Sequence, residues 1–313
     1  MPEITAVVLT KDEELHLARA IRSISGICRK VFVVDSGSTD RTVDIAKTLG
    51  AEVYTRTFLN HADQLQWSLD NLPIDTEWIL RLDADEVLEQ DLVRYVNAHL
   101  DNLPDEVAGV TLSRKHIFMG RWIRHGGRYP MQMLRLFRRG RAFVEDRWMD
   151  EHVVLSSGRT VHFPGGFSDW NLRPLNDFIE KHNRYATREA LDIVLLELGA
   201  RRDPLLLPQR TSLKAAGTRV IKRYVYGAIP FYVSAWLYFI YRYVFRLGFL
   251  DGVEGAIYHT LQGFWYRYLV GAKALELRRA IRSRGENTIA HAISVTVGFN
   301  VDFLEDSPER LNC

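Results

Sequence analysis

The chain has 313 residues, of which 47% are hydrophobic and 26% charged, and its formal net charge is +2. These values exclude an intrinsically disordered chain and allow a large core, so we predict either one large domain with an appended region or two domains. We expect no nucleic-acid partner. The two cysteines, Cys28 and Cys313, do not make a disulfide framework, which favours a reducing compartment.

The first residues do not resemble a signal peptide. They read Met-Pro-Glu and lack the basic segment and apolar core that such a peptide needs. We therefore expect the folded part of the protein to stay in the cytoplasm.

Residues 1–105 alternate strand patterns with helix patterns. Short, continuous runs of apolar and β-branched residues are typical of strands buried on both faces. These runs are residues 4–9, 31–34, 52–54 and 78–82. Apolar residues at helical spacing, often after capping or acidic residues, predict helices between them. These helices are residues 11–25, 42–49 and 61–72. The alternation predicts an α/β fold with a mostly parallel sheet, right-handed crossovers and flanking helices.

The remainder of the chain shows four patterns in turn. Residues 107–163 read as β-structure with many Gly and Arg turns, and residues 175–198 return to helical spacing. A basic stretch broken by proline follows. Two aromatic segments, residues 224–241 and 256–272, come next. We predict that both are helices.

The aromatic segments have the composition of helices at a membrane interface. Residues 224–241 carry no charge but contain Trp236 and Pro230, and Arg267 lies within residues 256–272. Residues 201–284 hold fifteen Lys or Arg against four Asp or Glu, which suits an anionic lipid surface or a phosphate-bearing substrate. We predict two helices that lie in one leaflet. The alternatives are a single span at residues 224–241, ordinary packed core helices and a solvated basic face.

Polar residues stand where three of the predicted strands end. Thr10, Asp35 and Asp83 each lie at or just beyond a carboxyl end, the edge of a parallel sheet where ligands gather. Asp83 and Asp85, two positions apart, can converge on one divalent cation such as Mg²⁺ or Mn²⁺, which can in turn bridge a diphosphate. The alternative for a lone Asp-x-Asp is a solvated turn.

The other two strand ends carry acidic turns. Residues 35–40 read Asp-Ser-Gly-Ser-Thr-Asp, in which Asp35 can bond a base or ribose hydroxyl and Gly37 lets the backbone approach a ligand. The alternative is a capped turn before the next helix. Residues 10–14, Thr-Lys-Asp-Glu-Glu, follow the first strand in the same way.

These three turns together resemble the nucleotide-binding half of family 2 glycosyltransferases, which have the GT-A fold. The resemblance implies that several side chains face the nucleotide, namely Thr10, Glu13, Asp35, Ser36 and either Asp63 or Gln64. It also implies that Asp83 and Asp85 hold the diphosphate and the metal ion. Residues 61–66 match the family's next motif only loosely.

The resemblance also places an acceptor half after residue 105. Inverting transfer needs a general base on the acceptor side, and Glu151 takes that position by likeness, with Asp150 as the alternative. Both could instead belong to a surface acid cluster paired with nearby arginines. His162 stands where many such enzymes place a third metal or diphosphate ligand, although a lone histidine is often a satisfied core residue. Arginines could bind diphosphate or an acceptor phosphate. They are Arg128, Arg135 and Arg138.

Residues 248–255 and the aromatic helix after them resemble the lipopolysaccharide-core and exopolysaccharide branch of the family. The likeness implies a lipid-linked saccharide acceptor at the cytoplasmic face of the inner membrane. We predict a GT-A domain in residues 1–200, with a nucleotide-sugar half in 1–105 and an acceptor half in 106–200. A basic, aromatic, membrane-associated region in 201–285 and a tail in 286–313 complete the chain.

The combined interpretation is an inverting, metal-dependent hexosyltransferase with a UDP-hexose donor, and UDP-glucose is the first candidate by analogy. A nucleotidyltransferase is an alternative, although the acidic turn at residues 11–14 is unlike its basic phosphate loop. An inactive membrane-docked scaffold is the non-enzymatic alternative.

Overall fold

The structure, a computed structural model, describes residues 2–145, 152–199 and 229–284. By its internal contacts the chain divides into two compact units, Met1–Arg173 and Pro174–Cys313. This division precedes the helix that we assigned to the acceptor half.

The first unit contains eleven strands and four α-helices in its described part. The strands are β1 (Ile4–Thr10), β2 (Lys30–Asp35), β3 (Glu52–Thr55), β4 (Trp78–Asp83), β5 (Glu86–Leu88), β6 (Val107–Phe118), β7 (Arg121–Ile123), β8 (Met131–Arg138), β9 (Ala142–Val144), β10 (Val153–Leu155) and β11 (Arg159–Trp170). The helices are α1 (Leu17–Ile24), α2 (Thr42–Thr48), α3 (His61–Asn71) and α4 (Gln90–His99). The predicted alternation of strands and helices is confirmed through β4.

Nine of these strands form one mixed sheet in the order β3-β2-β1-β4-β8-β6-β11-β5, with β7 beside β6. Strands β1 to β4 are parallel to one another, β6 is parallel to β11, and β8 and β5 run antiparallel to their neighbours. Strands β9 and β10 form a separate hairpin. The two edges of the sheet are the short strands β3 and β5. This is the topology of the GT-A fold, as the sequence predicts.

Helices and the hairpin bury both faces of the sheet. Because side chains of a strand alternate between faces, Ala6 and Val8 of β1 join the core under α1, α2 and α4, whereas Val7 joins the core under α3 and the hairpin. All three side chains are fully buried. The continuous apolar pattern of β1 follows from burial on both faces.

Helix α1 begins at Leu17, six residues later than predicted. The preceding residues form a loop because their backbone N–H groups bond side chains of the β2–α2 loop instead of building a helical turn. Asp12 has a left-handed φ of 54°, and its N–H donates to Ser38 Oγ at 2.8 Å. The N–H of Glu13 donates to Thr42 Oγ1 at 2.7 Å.

The second unit is helical in its described residues. Its α-helices are α5 (Leu175–Glu197), α6 (Phe231–Ile240), α7 (Gly252–Tyr258) and α8 (Tyr266–Arg284). A π-helical segment (Tyr241–Phe245) continues α6, a 3-10 turn (Gly248–Asp251) precedes α7, and a second π-helical segment (His259–Trp265) joins α7 to α8. The predicted helix at residues 175–198 is confirmed within one residue. The aromatic segments are helical over residues 231–241 and 256–272.

Polar contacts join α5 to α8. Arg278 forms a bidentate ion pair with Glu197 at 2.8 and 2.7 Å, and Lys273 donates to Thr187 Oγ1 at 2.6 Å. In the described ranges 2–145, 152–199 and 229–284, no helix has the length and apolar character that crossing a bilayer requires.

Candidate active site

The parallel pairing brings three strand ends to one edge of the sheet. Thr10 pairs with Asp35 across β1 and β2, and Leu9 pairs with Asp83 across β1 and β4. Asp35 also pairs with Thr55 at the end of β3. The polar residues at the ends of β1, β2 and β4 therefore stand side by side, as expected for carboxyl ends of parallel strands.

Asp35 is bound by the loop that follows it. Its Oδ1 accepts a hydrogen bond from Thr10 Oγ1 at 3.1 Å, and its Oδ2 accepts from the backbone N–H groups of Gly37 and Ser38, both at 2.8 Å. The residue is 2% exposed. Asp35 therefore shapes the β2–α2 loop, whose glycine has a φ of 82°. Its contact with a nucleotide stays a prediction.

Helix α3 stabilises the same loop through hydrogen bonds of Gln64. Gln64 is buried and donates from Nε2 to Val34 O at 3.0 Å and to Ser36 Oγ at 2.8 Å. Asp63, its neighbour, forms a bidentate ion pair with Arg56 at 2.9 Å. Gln64 thus fixes Ser36, while the charge of Asp63 is compensated by Arg56. The roles predicted for these residues toward a nucleotide remain untested.

Asp83 and Glu86 share one buried arginine. Arg135 Nη2 donates to Asp83 Oδ2 at 2.9 Å and to Glu86 Oε1, and Glu86 Oε2 accepts the N–H of Asp83 at 3.0 Å. Arg135 and Glu86 are each 1% exposed. The predicted diphosphate ligand Arg135 therefore has internal carboxylate partners.

This cluster shifts the pKa values of the two carboxyl groups in opposite directions. Burial would raise the pKa of Asp83, but Arg135 and Arg81 outweigh it and hold that pKa well below its usual range. Burial raises the pKa of Glu86, and the Asp83 charge adds to the rise while Arg135 opposes it. Asp83 is consequently the carboxylate that stays ionised at the end of β4.

A β-bulge turns Arg135 toward these carboxylates. Val110 of β6 pairs with Leu136 of β8, and the next residue, Thr111, pairs with Leu134. Arg135 therefore has no opposite residue in β6, and the local kink redirects its side chain. The sequence pattern alone does not reveal this redirection.

Asp85 is bound by the last residue of β11 and the residue that follows it. Its carbonyl oxygen accepts the N–H of Trp170 at 2.9 Å, and its Oδ2 accepts from Asn171 Nδ2 at 3.1 Å. Asp85 is half-buried and interacts electrostatically with Arg19. Residues 170 and 171 are therefore part of the candidate site.

The carboxylates at the end of β4 suit a hard divalent cation. Mg²⁺ is commonly bound by only one or two carboxylates together with substrate phosphate oxygens, and the Asp83–Asp85 pair supplies such a set. In the part of the chain that the structure describes, no three His, Cys, Asp or Glu side chains are grouped as a metal ion would need. A cation here would thus depend on oxygen atoms of the substrate.

The remaining predicted residues lie further along the chain. His162 is exposed on β11, with Nδ1 3.3 Å from Thr111 Oγ1 and Nε2 3.4 Å from Ser113 Oγ. Arg128 is half-buried in the turn between β7 and β8. Asp150 and Glu151 lie outside the described residues, in the connection between β9 and β10. Their roles, like that of His162, stay predictions.

Arg138 is buried and contacts backbone carbonyl groups and the Trp78 ring. It is 6% exposed, and its guanidinium donates to the carbonyl oxygens of Val107 and Leu103 at 2.8 and 3.1 Å. The same group lies 4.7 Å from the centre of the Trp78 ring. These contacts join β8 to β6 and β4 at the end of the sheet opposite the acids.

A cavity of about 280 Å³ also lies away from the acids. Its lining includes Lys30 and Glu52, the first residues of β2 and β3, so it opens at the amino ends of the strands. In α/β sheets the carboxyl ends, not the amino ends, carry the ligand groups. We therefore place the candidate site at Asp83 and Asp85.

Three residues of this site are not apparent from the sequence pattern. They are Glu86, which pairs with Arg135, and Trp170 and Asn171, which bind Asp85. The rule that ligand groups follow carboxyl ends of strands would have indicated Trp170 and Asn171, had the exact end of β11 been predicted.

Comparisons with known proteins agree with this geometry. The model of the family described as glycosyl transferase family 2 matches residues 5–160, which include the ends of β1, β2 and β4. The chain belongs to glycosyltransferase family 2. Its predicted membership of that family is confirmed.

Among curated relatives, an uncharacterised glycosyltransferase of Rickettsia typhi is 44% identical over 92 residues, which are 29% of this chain and 31% of the relative. The match thus spans about a third of the Rickettsia proteins. The lipopolysaccharide core biosynthesis glycosyltransferase LpsC of Rhizobium meliloti is 27% identical over 194 residues, 60% of this chain and 70% of LpsC.

One similar solved structure is that of glucosyl-3-phosphoglycerate synthase of Mycobacterium tuberculosis, crystallised with Mn²⁺, UDP and glucosyl-3-phosphoglycerate. It is 18% identical, with a TM-score of 0.40, over 56% of this chain and 75% of the synthase.

Proposed function

We propose that this family 2 enzyme is an inverting hexosyltransferase that uses a UDP-hexose, with UDP-glucose as the first candidate donor. The observation that carries the proposal is the alignment of Thr10, Asp35 and Asp83 at adjacent strand ends, with Asp85 two residues further on. A nucleotide diphosphate has the length to lie across such strand ends, with its base toward β2 and its phosphates toward β4.

The residues of this chain would each perform a distinct task. Asp83 and Asp85 would hold a Mg²⁺ or Mn²⁺ ion, which supplies positive charge to the departing diphosphate when it is bound. Arg135 keeps Asp83 ionised. Glu151, or Asp150, would take the proton of the acceptor hydroxyl as that oxygen attacks the anomeric carbon from the face opposite the diphosphate. The attack inverts the configuration at that carbon.

We assign the acceptor to the class of lipid-linked saccharides. The likeness to LpsC supports a role in lipopolysaccharide or surface polysaccharide synthesis. The second unit also supports it, since α6 and the turns after it expose many large apolar side chains. Examples are Trp236 (53% exposed), Phe245 (73%) and Val253 (71%). Such a surface is typical of proteins that bind a membrane or another protein.

The charges of this surface favour an anionic lipid leaflet. Asp251 is the only acid of residues 231–253 and is 3% exposed, whereas Arg246 is exposed. Tyr and Trp side chains among the exposed residues are typical of membrane interfaces. These features support our proposal that the enzyme works at the cytoplasmic face of the inner membrane, with its second unit in contact with the lipid.

The experiment is UDP release from UDP-glucose in the presence of Mn²⁺ and a detergent extract of bacterial envelope lipids. We expect release that stops on chelation, and at least a hundredfold loss in Asp85→Asn because a carboxylate ligand is removed. Asp101→Asn, an exposed acid after α4, is the matched control and should keep full activity.

Three outcomes would contradict the proposal. Pyrophosphate release in place of UDP release would favour a nucleotidyltransferase, and full activity of Asp85→Asn would remove the metal role of that residue. A protein that binds no UDP and turns over no nucleotide sugar would support the scaffold alternative.

A further inference from the structure

A short segment at the end of β11, residues 170–173, touches both acidic parts of the donor site. At one end, Trp170 N–H and Asn171 Nδ2 bind the backbone and side chain of Asp85. At the other end, Leu172 N–H donates to His16 Nε2 at 2.9 Å. The guanidinium of Arg173 donates to Asp12 O. The segment thus connects the end of β4 with the loop between β1 and α1.

His16 is the buried junction of this connection. It is 0% exposed, and its Nδ1 lies 2.5 Å from Glu13 Oε2 while its Nε2 faces Leu172 N–H. A backbone N–H can only donate, so Nε2 must carry the lone pair and Nδ1 must carry the proton. The ring therefore donates to the Glu13 carboxylate and accepts from residue 172 at the same time.

The amide of Asn171 is oriented by the same reasoning. Its Oδ1 accepts the backbone N–H of Arg173 at 2.9 Å, so its Nδ2 must point to Asp85 Oδ2. The amide can donate to Asp85 only while the segment keeps its turn at Arg173. The hydrogen bond from Leu172 N–H to His16 Nε2 holds that turn beside the start of α1.

We propose that His16 is a positioning residue of the donor site. Its Nε2 sets the place of Asp85 through residues 170–173, and its Nδ1 sets the place of Glu13. This inference rests on the proposed function, because it gives Asp85 a role toward the cation and Glu13 a role toward the nucleotide. Supporting groups of this kind commonly change metal affinity or activity by about ten- to a hundredfold.

Two substitutions separate the two bonds of His16. In His16→Asn, the amide lies near the place of Nδ1, so it can still donate to Glu13 but leaves Leu172 N–H without an acceptor. In His16→Gln, the amide oxygen can reach the place of Nε2 and accept from Leu172, but the bond to Glu13 is lost. His99→Asn, an exposed histidine at the end of α4, is the control.

The readouts are Mn²⁺ affinity in the presence of UDP, measured by electron paramagnetic resonance, and UDP affinity without metal, measured by calorimetry. We expect His16→Asn to weaken Mn²⁺ binding about ten- to a hundredfold with little change for UDP alone. We expect His16→Gln to weaken UDP binding at least threefold with little change for Mn²⁺. His99→Asn should match the wild type in both.

Equal changes of both affinities in the two variants, or no change in either, would overturn the positioning role. The affinities are measured well below the unfolding temperature of each variant, where the protein is folded. A purely structural role would therefore lower the unfolding temperature and leave both constants unchanged. A wild-type protein that binds neither UDP nor Mn²⁺ with UDP would instead contradict the proposed function.

Discussion

Arg135 lies between two carboxylates in a place that solvent does not reach. It contacts Asp83 at 2.9 Å and also Glu86, and it is 1% exposed. A buried pair of this kind adds little net stability, but removal of one partner leaves an uncompensated buried charge. Arg135 therefore compensates the charge of Asp83 and Glu86 at the end of β4 even when no ligand is bound.

We predict that Arg135→Gln lowers the free energy of unfolding by about 3–5 kcal/mol at pH 8. Without the guanidinium, burial raises the pKa of Glu86 further in the folded state, whereas Arg81 still lowers the pKa of Asp83. The folded protein then binds protons that the unfolded chain releases, so the loss of stability is largest at pH 8 and shrinks toward pH 5. Urea unfolding at both pH values measures it.

The control for this experiment is Arg139→Gln. Arg139 directly follows β8, and its exposed side chain should contribute less than about 0.5 kcal/mol. A loss in Arg135→Gln that is the same at pH 5 and pH 8 would argue against burial of Glu86 as its cause.

Strand β11 reaches the candidate site because it is bulged. Phe163 pairs with Leu112 and Phe167 with Arg114, so three residues of β11 stand opposite Ser113 alone. These three residues are Pro164, Gly165 and Gly166. Such a bulge accommodates proline and allows another backbone to approach closely.

The N-terminal part of α4 makes this close approach. Gly166 O accepts the N–H of Glu89 at 2.8 Å, and Gly166 N–H donates to Asp91 Oδ1 at 3.1 Å. A Cβ on Gly165, which has a φ of 125°, would stand 2.8 Å from Leu92 Cα. The bulge and the helix therefore fix each other, and through β11 they fix the place of Asn171.

We predict that Gly165→Ala destabilises the protein by about 2–5 kcal/mol, the sum of the backbone strain and the overlap with α4. Gly120→Ala is the matched control, since Gly120 has a φ of 80° but open space around its Cα. It should cost only about 1–2 kcal/mol. Equal losses for the two variants in urea unfolding would show that contact with α4 is unimportant.

The sequence was informative where local pattern decides the structure. The apolar runs predicted β1 to β4 and the spacing predicted α3 and α5, because burial on a defined face leaves a period in the sequence. The positions of the acids at the strand ends were predictable from the same pattern. Helix α1 begins six residues later than predicted, since its apparent first turn gives its N–H groups to side chains distant in sequence.

Contacts that depend on tertiary structure were not predictable in the same way. Arg135 read as an anion-binding residue, and only the bulge in β8 shows that it faces Asp83 and Glu86. His16 stood in a predicted helix as an ordinary polar residue. Its partner Glu13 is close in sequence, but its partner Leu172 follows β11 and lies more than 150 residues later.

The two units of the chain differ in the surface that they expose. The described part of the second unit carries most of the large exposed apolar side chains between residues 232 and 253, and the first unit carries isolated ones. Scattered apolar residues are normal on a protein surface, whereas a group of this size marks an interface. Membrane association is therefore a property that we predict for the second unit.

We predict that Phe245→Glu weakens binding to vesicles of phosphatidylglycerol and phosphatidylethanolamine by at least tenfold. Insertion of an aromatic side chain contributes about 1.5–3 kcal/mol, and a carboxylate is repelled by the anionic lipid. Leu15→Glu, which changes a side chain 54% exposed in the first unit, is the control. Cosedimentation measures both, and equal binding of the two variants would contradict lipid contact through residue 245.

The two edges of the sheet determine how copies of this chain can meet. Strands β3 and β5 contain only four and three residues, so each presents few unpaired backbone groups to another strand. A second copy would find little template there for extending the sheet. We expect concentrated samples to resist β-type aggregation, and any self-assembly to proceed through side-chain surfaces without strand addition.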